Sequence, residues 1–95
     1  VDVPVRCTLR PTQEGLALTG EIAIAPLAGP ETVVFEVPDP RLWVTDARVR
    51  RDGNRLIAVS ELMAGGGGPV SLDRSRIRIT VIGRREAVEI MGCSG

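Results

Sequence analysis

The stretch Leu-Ala-Leu-Thr-Gly-Glu-Ile-Ala-Ile-Ala at residues 16–25 decides the fold. Large aliphatic residues recur in it at every second position, with Gly20 as the one exception. A period of two is typical of a β-strand with one buried face, whereas a helix repeats every 3.6 residues. A glycine in the inner row predicts a bulge or a close neighbour at that point. The segment therefore predicts a strand whose inner face carries Leu16, Leu18, Ile22 and Ile24.

The same period continues on both sides of this strand. Seven prolines divide the chain into short pieces, and no segment of ten or more residues keeps a helical stripe. The further predicted strands are Val3–Arg10, Glu31–Val37, Leu42–Arg51, Arg55–Met63, Ser75–Ile82 and Ala87–Cys93. Their clearest inward residues are Val3, Val5, Cys7, Leu9, Val33, Phe35, Val37, Ile77, Ile79, Val81, Val88 and Ile90. Ala64–Pro69, with its four consecutive glycines, is predicted to be a loop.

Asp52-Gly53-Asn54 predicts a hairpin between the fourth and fifth strands, because Asp-Gly is a strong hairpin signal. A two-residue turn would pair Val49 with Leu56, whereas a three-residue loop with a glycine bulge would pair Val49 with Ile57. The second register is favoured, because it also pairs Trp43 with Met63 and places the apolar side chains of the hairpin on one face. These side chains are Trp43, Val49, Ile57, Val59 and Met63. Gly83–Glu86 is the predicted turn of a second hairpin.

Seven short strands separated by proline and glycine turns are typical of a β-sandwich of immunoglobulin or fibronectin type. A small closed β-barrel is the alternative. At 95 residues the chain has room for one domain, residues 1–95. Trp43 falls between the two cysteines, as in immunoglobulin domains, but the cysteines lie near the ends of the chain. We therefore expect the sandwich architecture without membership of the immunoglobulin family.

Cys7 and Cys93 are the only cysteines, and they predict a disulfide. With no Cys-x-x-Cys spacing and no histidine they would make a poor zinc site. A disulfide predicts an oxidising compartment, hence a periplasmic or secreted protein whose signal peptide has been removed. Strict alternation places Cys93 on the outer face, so a kink at Gly92 is needed to reach Cys7. No apolar run has the length of a membrane span.

The residue types argue against catalysis. The chain has no histidine, lysine or tyrosine, which excludes Ser-His-Asp and Cys-His arrangements and removes the usual general base. No pair of acidic residues stands out from turn and outer-face positions. Asp52 and Asn54, together with Asp46, could offer oxygens to calcium near a hairpin tip, but Asp-Gly-Asn is interpreted as turn chemistry. We therefore predict a protein that is not an enzyme and that uses no metal and no cofactor.

All twelve basic residues are arginines, and twelve acidic residues balance them. A net charge of zero argues against a general nucleic-acid binder, and so does the expected lack of exposed aromatic residues beside the arginines. Clustered arginines could still bind phosphate, sulfate or carboxylate groups. The candidate binding patch is Arg48, Arg50, Arg51, Arg55, Arg84 and Arg85. The alternative is a solvated outer face with carboxylate neighbours such as Glu61, Glu86 and Glu89.

These features favour an exported, non-catalytic module that recognises another protein through a sheet edge or through loops at one end. A second hypothesis is a chaperone-like or inhibitory periplasmic protein that shields aggregation-prone strands. In size and architecture the chain is similar to the small periplasmic sandwich proteins of curli systems, an analogy at the level of the fold alone. A third hypothesis is an arginine-mediated binder of polyanions or envelope glycans.

Overall fold

The alternating pattern folds into eight β-strands in the computed structural model, which describes residues 3–13, 15–64 and 72–94. Most of the predicted Ala64–Pro69 loop lies outside these residues. The strands are β1 Val5–Pro11, β2 Gly15–Ile22, β3 Thr32–Glu36, β4 Leu42–Val44, β5 Arg48–Asp52, β6 Arg55–Ala64, β7 Arg78–Ile82 and β8 Ala87–Met91. A single 3₁₀ turn, Arg74–Arg76, precedes β7.

The strands form two antiparallel sheets. The large sheet has the order β1-β2-β6-β4, and β5 pairs with β6 beyond the end of β4, so that β4 and β5 share one edge. The small sheet has the order β3-β7-β8. The prediction of an all-β, sandwich-like chain is confirmed. The closed-barrel alternative is wrong, because β3 and β5 pair with strands of their own sheets and not with each other.

The core lies between the two sheets and uses the inner rows that the alternation predicts for β1, β2, β3, β7 and β8. Fully burying one such aliphatic side chain contributes roughly 1.5–3 kcal/mol. Gly20 has the predicted close neighbour, since a Cβ there would lie 3.0 Å from the Phe35 ring. There is no bulge, because pairing runs on through Gly20 on both sides. The core residues of these five strands include Val5, Cys7, Leu18, Ile22, Val33, Phe35, Ile79, Val81 and Ile90.

The predicted strand Leu42–Arg51 is divided in two, and this changes its register. Trp43 pairs with Met63 as predicted, but Val49 pairs with Ala58, so both registers considered for Val49 are wrong. A two-residue Gly53-Asn54 turn, with Gly53 at φ 60°, sets the pairing near the tip. Between β4 and β5, three residues then lie opposite two, and the Thr45 N–H donates to the Glu61 carbonyl at 3.0 Å. This one-residue bulge brings Trp43 back to its predicted partner.

The same register decides which face of β6 is buried. Leu56, Ala58 and Leu62 lie in the core, while Ile57, Val59 and Met63 lie in the outer row and Trp43 is 67% exposed. The predicted grouping holds for Trp43, Ile57, Val59 and Met63, but their shared face is the outer one. Val49 does not belong to it, because it pairs with the buried Ala58. Both rows of β6 are mostly apolar, so alternation alone could not distinguish them. Pairing with β2 decides, because it places Ser60 opposite the buried Leu18. Within the described residues the buried Ser60 hydroxyl has no hydrogen-bond partner.

The end of the chain is held against β1, and we call residues 92–94 with their contacts the terminal clamp. Gly92 adopts a φ of 86°, which turns Cys93 inward as the alternation required. Cys7 and Cys93 are disulfide-bonded with their Cα atoms 5.6 Å apart, which confirms the predicted disulfide. The Cys7 N–H donates to the Ser94 carbonyl at 2.6 Å, and the Ser94 N–H donates to the Val5 carbonyl at 3.0 Å. Ser94 therefore caps the outer edge of β1.

Within residues 3–13, 15–64 and 72–94, no helix is long and apolar enough to cross a membrane.

Candidate functional site

The six arginines of the candidate patch are not brought together in one cluster. Strand alternation places two of them on the outer face of the large sheet and one on its inner side, while the other three lie at or beside two hairpin turns. In chain order the outer-face pair is Arg48 and Arg50, the inward residue is Arg51, and the turn residues are Arg55, Arg84 and Arg85.

Arg51 is engaged inside the fold. Its Nε–H donates to Glu31 Oε1 at 3.0 Å, its Nη2 forms a second bond to the same carboxylate, and the Leu27 N–H also donates to that carboxylate at 3.1 Å. The side chains of Arg51 and Glu31 are only 23% and 10% exposed. The hydrogen bonds from Arg51 lower the pKa of Glu31 below its ordinary value, against an opposing effect of burial. This ion pair joins the edge of the large sheet to the segment that leads into β3.

The other three arginines lie at one end of the sandwich, in exposed turns. Arg55 is at the β5–β6 tip, where it forms an ion pair with Asp52 at 3.7 Å between two exposed side chains. Arg84 and Arg85 lie in the β7–β8 turn, and the Arg84 N–H donates to the Ala28 carbonyl at 2.7 Å. An exposed ion pair of this kind contributes at most about 1 kcal/mol. These turn arginines are therefore exposed to solvent.

Arg48 and Arg50 flank an apolar depression. Their cross-strand partners on β6 are Val59 and Ile57, and these side chains are half-buried on the outer face. Together with Val49 they line a depression of about 260 Å³. Among the described residues, neither Arg48 nor Arg50 forms an ion pair. Two charged guanidinium groups thus border an apolar floor, and the exposed Glu61 lies further along the same outer row of β6.

Trp43 extends this surface along the same sheet edge. Because β4 and β5 both pair with β6 from one side, Trp43 and its partner Met63 lie on the same outer face as Arg48 and Arg50. An indole that is 67% exposed is unusual, since tryptophan is highly buried on average. The expectation that no exposed aromatic residue accompanies the arginines is thus wrong. We call this surface the outer patch: Trp43, Arg48, Arg50, Ile57, Val59 and Met63.

From the sequence, four residues of the outer patch are predicted to share one face, and only the two arginines are assigned to a binding surface. The one available signal was Gly53, because a glycine at the first position of a two-residue turn is typical of a type II′ hairpin. That register would have placed Ile57 and Val59 opposite Arg50 and Arg48. The bulge that restores the pairing of Trp43 with Met63 has no comparable signal in the sequence.

The pKa values of several carboxyl groups are lowered, in each case mainly by hydrogen bonds from a neighbouring side chain. Hydrogen bonds from the Arg41 side chain lower the pKa of Asp39 to about 2. A hydrogen bond from Ser75 lowers the pKa of Asp73, which caps the 3₁₀ turn. A general acid requires the opposite shift, so these groups behave as structural carboxylates. No group of three or more potential metal ligands occurs in the part of the chain that the structure describes.

Comparison with protein-family models, with curated proteins and with solved structures gave no match for this chain. Function must therefore be argued from the residues themselves.

Proposed function

We propose that this chain is an exported, non-catalytic module that binds another protein through the outer patch. The observation that carries the proposal is the exposed Trp43 on the same face as two arginines that form no ion pair among the described residues. Tryptophan, methionine and arginine are the residue types enriched at protein interfaces, and tryptophan and arginine dominate their energetic hot spots. This proposed surface is a sheet face, whereas the sequence favoured a sheet edge or loops at one end.

The chemistry of the outer patch specifies the partner. Ile57 and Val59 form an apolar floor, and Trp43 offers a large rigid surface with an N–H that can donate at the rim. The guanidinium groups of Arg48 and Arg50 match carboxylates in a two-pronged geometry. The complementary surface is a folded protein that presents an apolar side chain flanked by two or more carboxylates. This is charge complementarity at a local patch, which a net charge of zero permits.

The strand order supports an immunoglobulin-like topology for the module. In constant-type immunoglobulin sandwiches the sheets are ordered A-B-E-D and C-F-G. With strands counted along the chain and β4 and β5 together as D, this chain has the same two orders. Its disulfide differs, because it ties β1 to the residues after β8 rather than joining the central strands B and F. We propose a shared architecture with an independent covalent link.

Export and lack of catalysis are part of the same proposal. A disulfide in a 95-residue domain supports an oxidising compartment, where such bonds persist. The absence of histidine, lysine and tyrosine from the sequence supports a binding role over an enzymatic one.

The test compares two pairs of arginines. The purified chain captures proteins from native cell-envelope extract, and one captured protein is purified and titrated against Arg48→Glu/Arg50→Glu, Trp43→Ala and the control Arg84→Glu/Arg85→Glu. Both arginine variants change the net charge equally, so only position differs. We expect the Trp43 and Arg48/Arg50 variants each to weaken the measured affinity by about 30-fold or more, the scale of an interface hot spot. The Arg84/Arg85 control should change it by less than twofold.

The alternatives predict different results. Loss of binding in the Arg84/Arg85 variant alone would overturn the outer patch in favour of the end loops. Binding to heparin that disappears at moderate salt, with no salt-resistant protein complex, would favour the polyanion hypothesis. Suppression of fibre formation by a purified amyloid-forming peptide at substoichiometric ratio, unaffected by Trp43→Ala, would favour the chaperone-like hypothesis. Turnover of a substrate by the purified chain would contradict the non-catalytic assignment.

A further inference from the structure

Strand β3 forms one edge of the small sheet. Within the described residues it lacks the features that protect the other sheet edges from pairing with a further strand. Its only strand partner in the described part of the chain is β7. Natural proteins protect sheet edges with charged side chains, short strands or covering segments. The interior of β3, Val33–Phe35, contains neither a charge nor a proline. Within the described residues the backbone groups on this edge have no hydrogen-bond partner, so they can pair with an added strand.

Each remaining edge has one of these protections. Ser94 covers the edge of β1, and β4 is only three residues long. Arg48 and Arg50 lie along β5, and Glu89 lies at the centre of β8. An incoming strand would meet charge, a covering segment or a lack of length at each of these. The contrast marks β3 as the one accessible pairing edge within residues 3–13, 15–64 and 72–94.

A cleft runs beside β3 where the bulge separates β4 from β5. Its volume is about 330 Å³, and it lies between Thr32–Phe35 on one side and residues 44–47 on the other. An added strand would lie about 4.8 Å from β3, with alternate side chains pointing toward the gap between the sheets. Val44 and Ala47 pack against the core at this gap, so those inward positions favour small apolar side chains.

A negative charge in this cleft indicates that the added segment should carry a basic residue. Asp46 lines the cleft, is exposed, and forms no ion pair among the described residues. We propose that β3 accepts an extended segment of a partner protein as an additional strand, and that this segment carries alternating apolar residues and an arginine or lysine that meets Asp46. Strand addition of this kind takes its affinity from main-chain hydrogen bonds and its specificity from alternate side chains.

A second copy of this chain is a poorer occupant on the same grounds. Antiparallel self-pairing of β3 would bring another Thr32–Glu36, which contains no basic residue and ends in a carboxylate. It would leave Asp46 without a cation and add negative charge nearby.

The test uses a library of random 12-residue peptides displayed on phage and panned against the purified, oxidised chain. We expect selected peptides to alternate apolar residues and to contain an arginine or lysine. Isothermal titration of one synthetic peptide then compares two matched pairs of variants. Asp46→Lys should weaken its affinity at least tenfold, and Glu86→Lys in the β7–β8 turn should leave it within twofold. Val34→Lys should also weaken the affinity at least tenfold, whereas Ile82→Lys should leave it within twofold. These two positions are matched because both residues are 40% exposed on one sheet face.

A readout on the unaltered chain makes the test independent of the variants. Bound peptide should slow amide hydrogen exchange in Thr32–Glu36. The proposal would be overturned by a library that yields no such peptides, by protection at a different edge, or by equal effects of Asp46→Lys and Glu86→Lys. A concentration-dependent dimer that Val34→Lys abolishes and that excludes the peptide would also overturn it, in favour of a second copy. Trp43→Ala should not change the peptide affinity, so failure at the outer patch and failure here are separable.

Discussion

The two long sides of the sandwich are closed by different means. On the β1–β8 side, the Cys7–Cys93 disulfide and the backbone bonds of Ser94 join the two sheets. On the β3–β5 side, the Arg51–Glu31 ion pair joins them at one end, and the cleft separates them at the other. The first side is held by covalent and backbone bonds, and the second by one pair of side chains.

This difference shows how a small domain can be both stable and open to partners. A chain of this length buries only about 60–65% of its unfolded surface, so its core alone gives a modest stability. A covalent link on one side stabilises the fold without occupying surface on the other. The proposed binding surfaces, the outer patch and the β3 edge, both lie on or next to the side without the disulfide. Four further predictions test this division.

The largest effect is expected on the β1–β8 side. Reducing the disulfide, whose cysteines are 86 residues apart, should lower the free energy of unfolding by about 4–5 kcal/mol, because the unfolded chain regains entropy. Urea denaturation of oxidised and reduced protein measures this. Cys7→Ala/Cys93→Ala is the control for effects of the reductant itself. Its free energy of unfolding should fall somewhat further than that of the reduced protein, since Cys7 is fully buried and its truncation leaves a cavity. A loss below 1 kcal/mol on reduction would contradict the asymmetry.

A smaller effect is expected from the ion pair on the β3–β5 side. Glu31→Gln should lower the free energy of unfolding by about 2–3 kcal/mol at pH 7, since a wholly buried pair would cost about 3–5 kcal/mol and this one is partly exposed. The double variant Arg51→Met/Glu31→Gln should lower the free energy of unfolding by less than Glu31→Gln alone, because it leaves no unpaired charge. Urea denaturation of the three proteins provides the comparison, and a double variant that loses more than the single one would argue against the pair.

The contribution of Glu31 should also depend on pH with a definite sign. Its pKa in the folded protein lies below the ordinary value of 4.5, so its stabilising effect is complete above pH 4.5 and is lost as pH falls through the folded pKa. The difference between the wild type and Glu31→Gln should therefore shrink below pH 4.5. A difference that stays constant from pH 7 to pH 3 would show that the carboxylate charge does not stabilise this side.

The smallest effects come from two glycines, one on each side. Gly92→Ala and Gly53→Ala each place a side chain at positive φ, which costs about 1–2 kcal/mol. A Cβ at Gly92 would also lie 3.0 Å from the Ser75 carbonyl oxygen, whereas nothing lies within 4 Å of one at Gly53. Thermal unfolding should therefore place Gly92→Ala at the upper end of this range and Gly53→Ala at the lower end. Equal losses would mean that the terminal clamp adjusts to the added methyl group.

Prediction from the sequence succeeded where one face of a strand is clearly more apolar than the other. In β2 the inner row is aliphatic and the outer row is mixed, so the buried Leu18 and Ile22 could be assigned without knowing their neighbours. The disulfide could be assigned as well, and so could its requirement for a turn at Gly92. Each of these inferences rests on local pattern or on the presence of a single possible partner.

Prediction failed where the two faces of a strand are alike. Both rows of β6 are largely apolar, so their orientation depends on pairing with β2, a strand about forty residues earlier in the chain. The sequence therefore did not show that the face carrying Trp43 is exposed, and the outer patch could not be recognised from it. The arginines show the same limit, because Arg51 and Arg50 are adjacent in sequence yet one is bound to Glu31 and the other lies on the outer face.

By itself the sequence determined the class of fold, most of the inner rows, the pair of cysteines and the absence of the usual catalytic bases. Only the tertiary structure decided which face of β6 is buried, which arginines lie beside an exposed tryptophan, and which sheet edge is left unprotected by the described residues. The physical reason is one of range. Alternation reports whether each residue has an apolar or polar environment along its own strand, whereas register and exposure depend on hydrogen bonds and packing between strands distant in the chain.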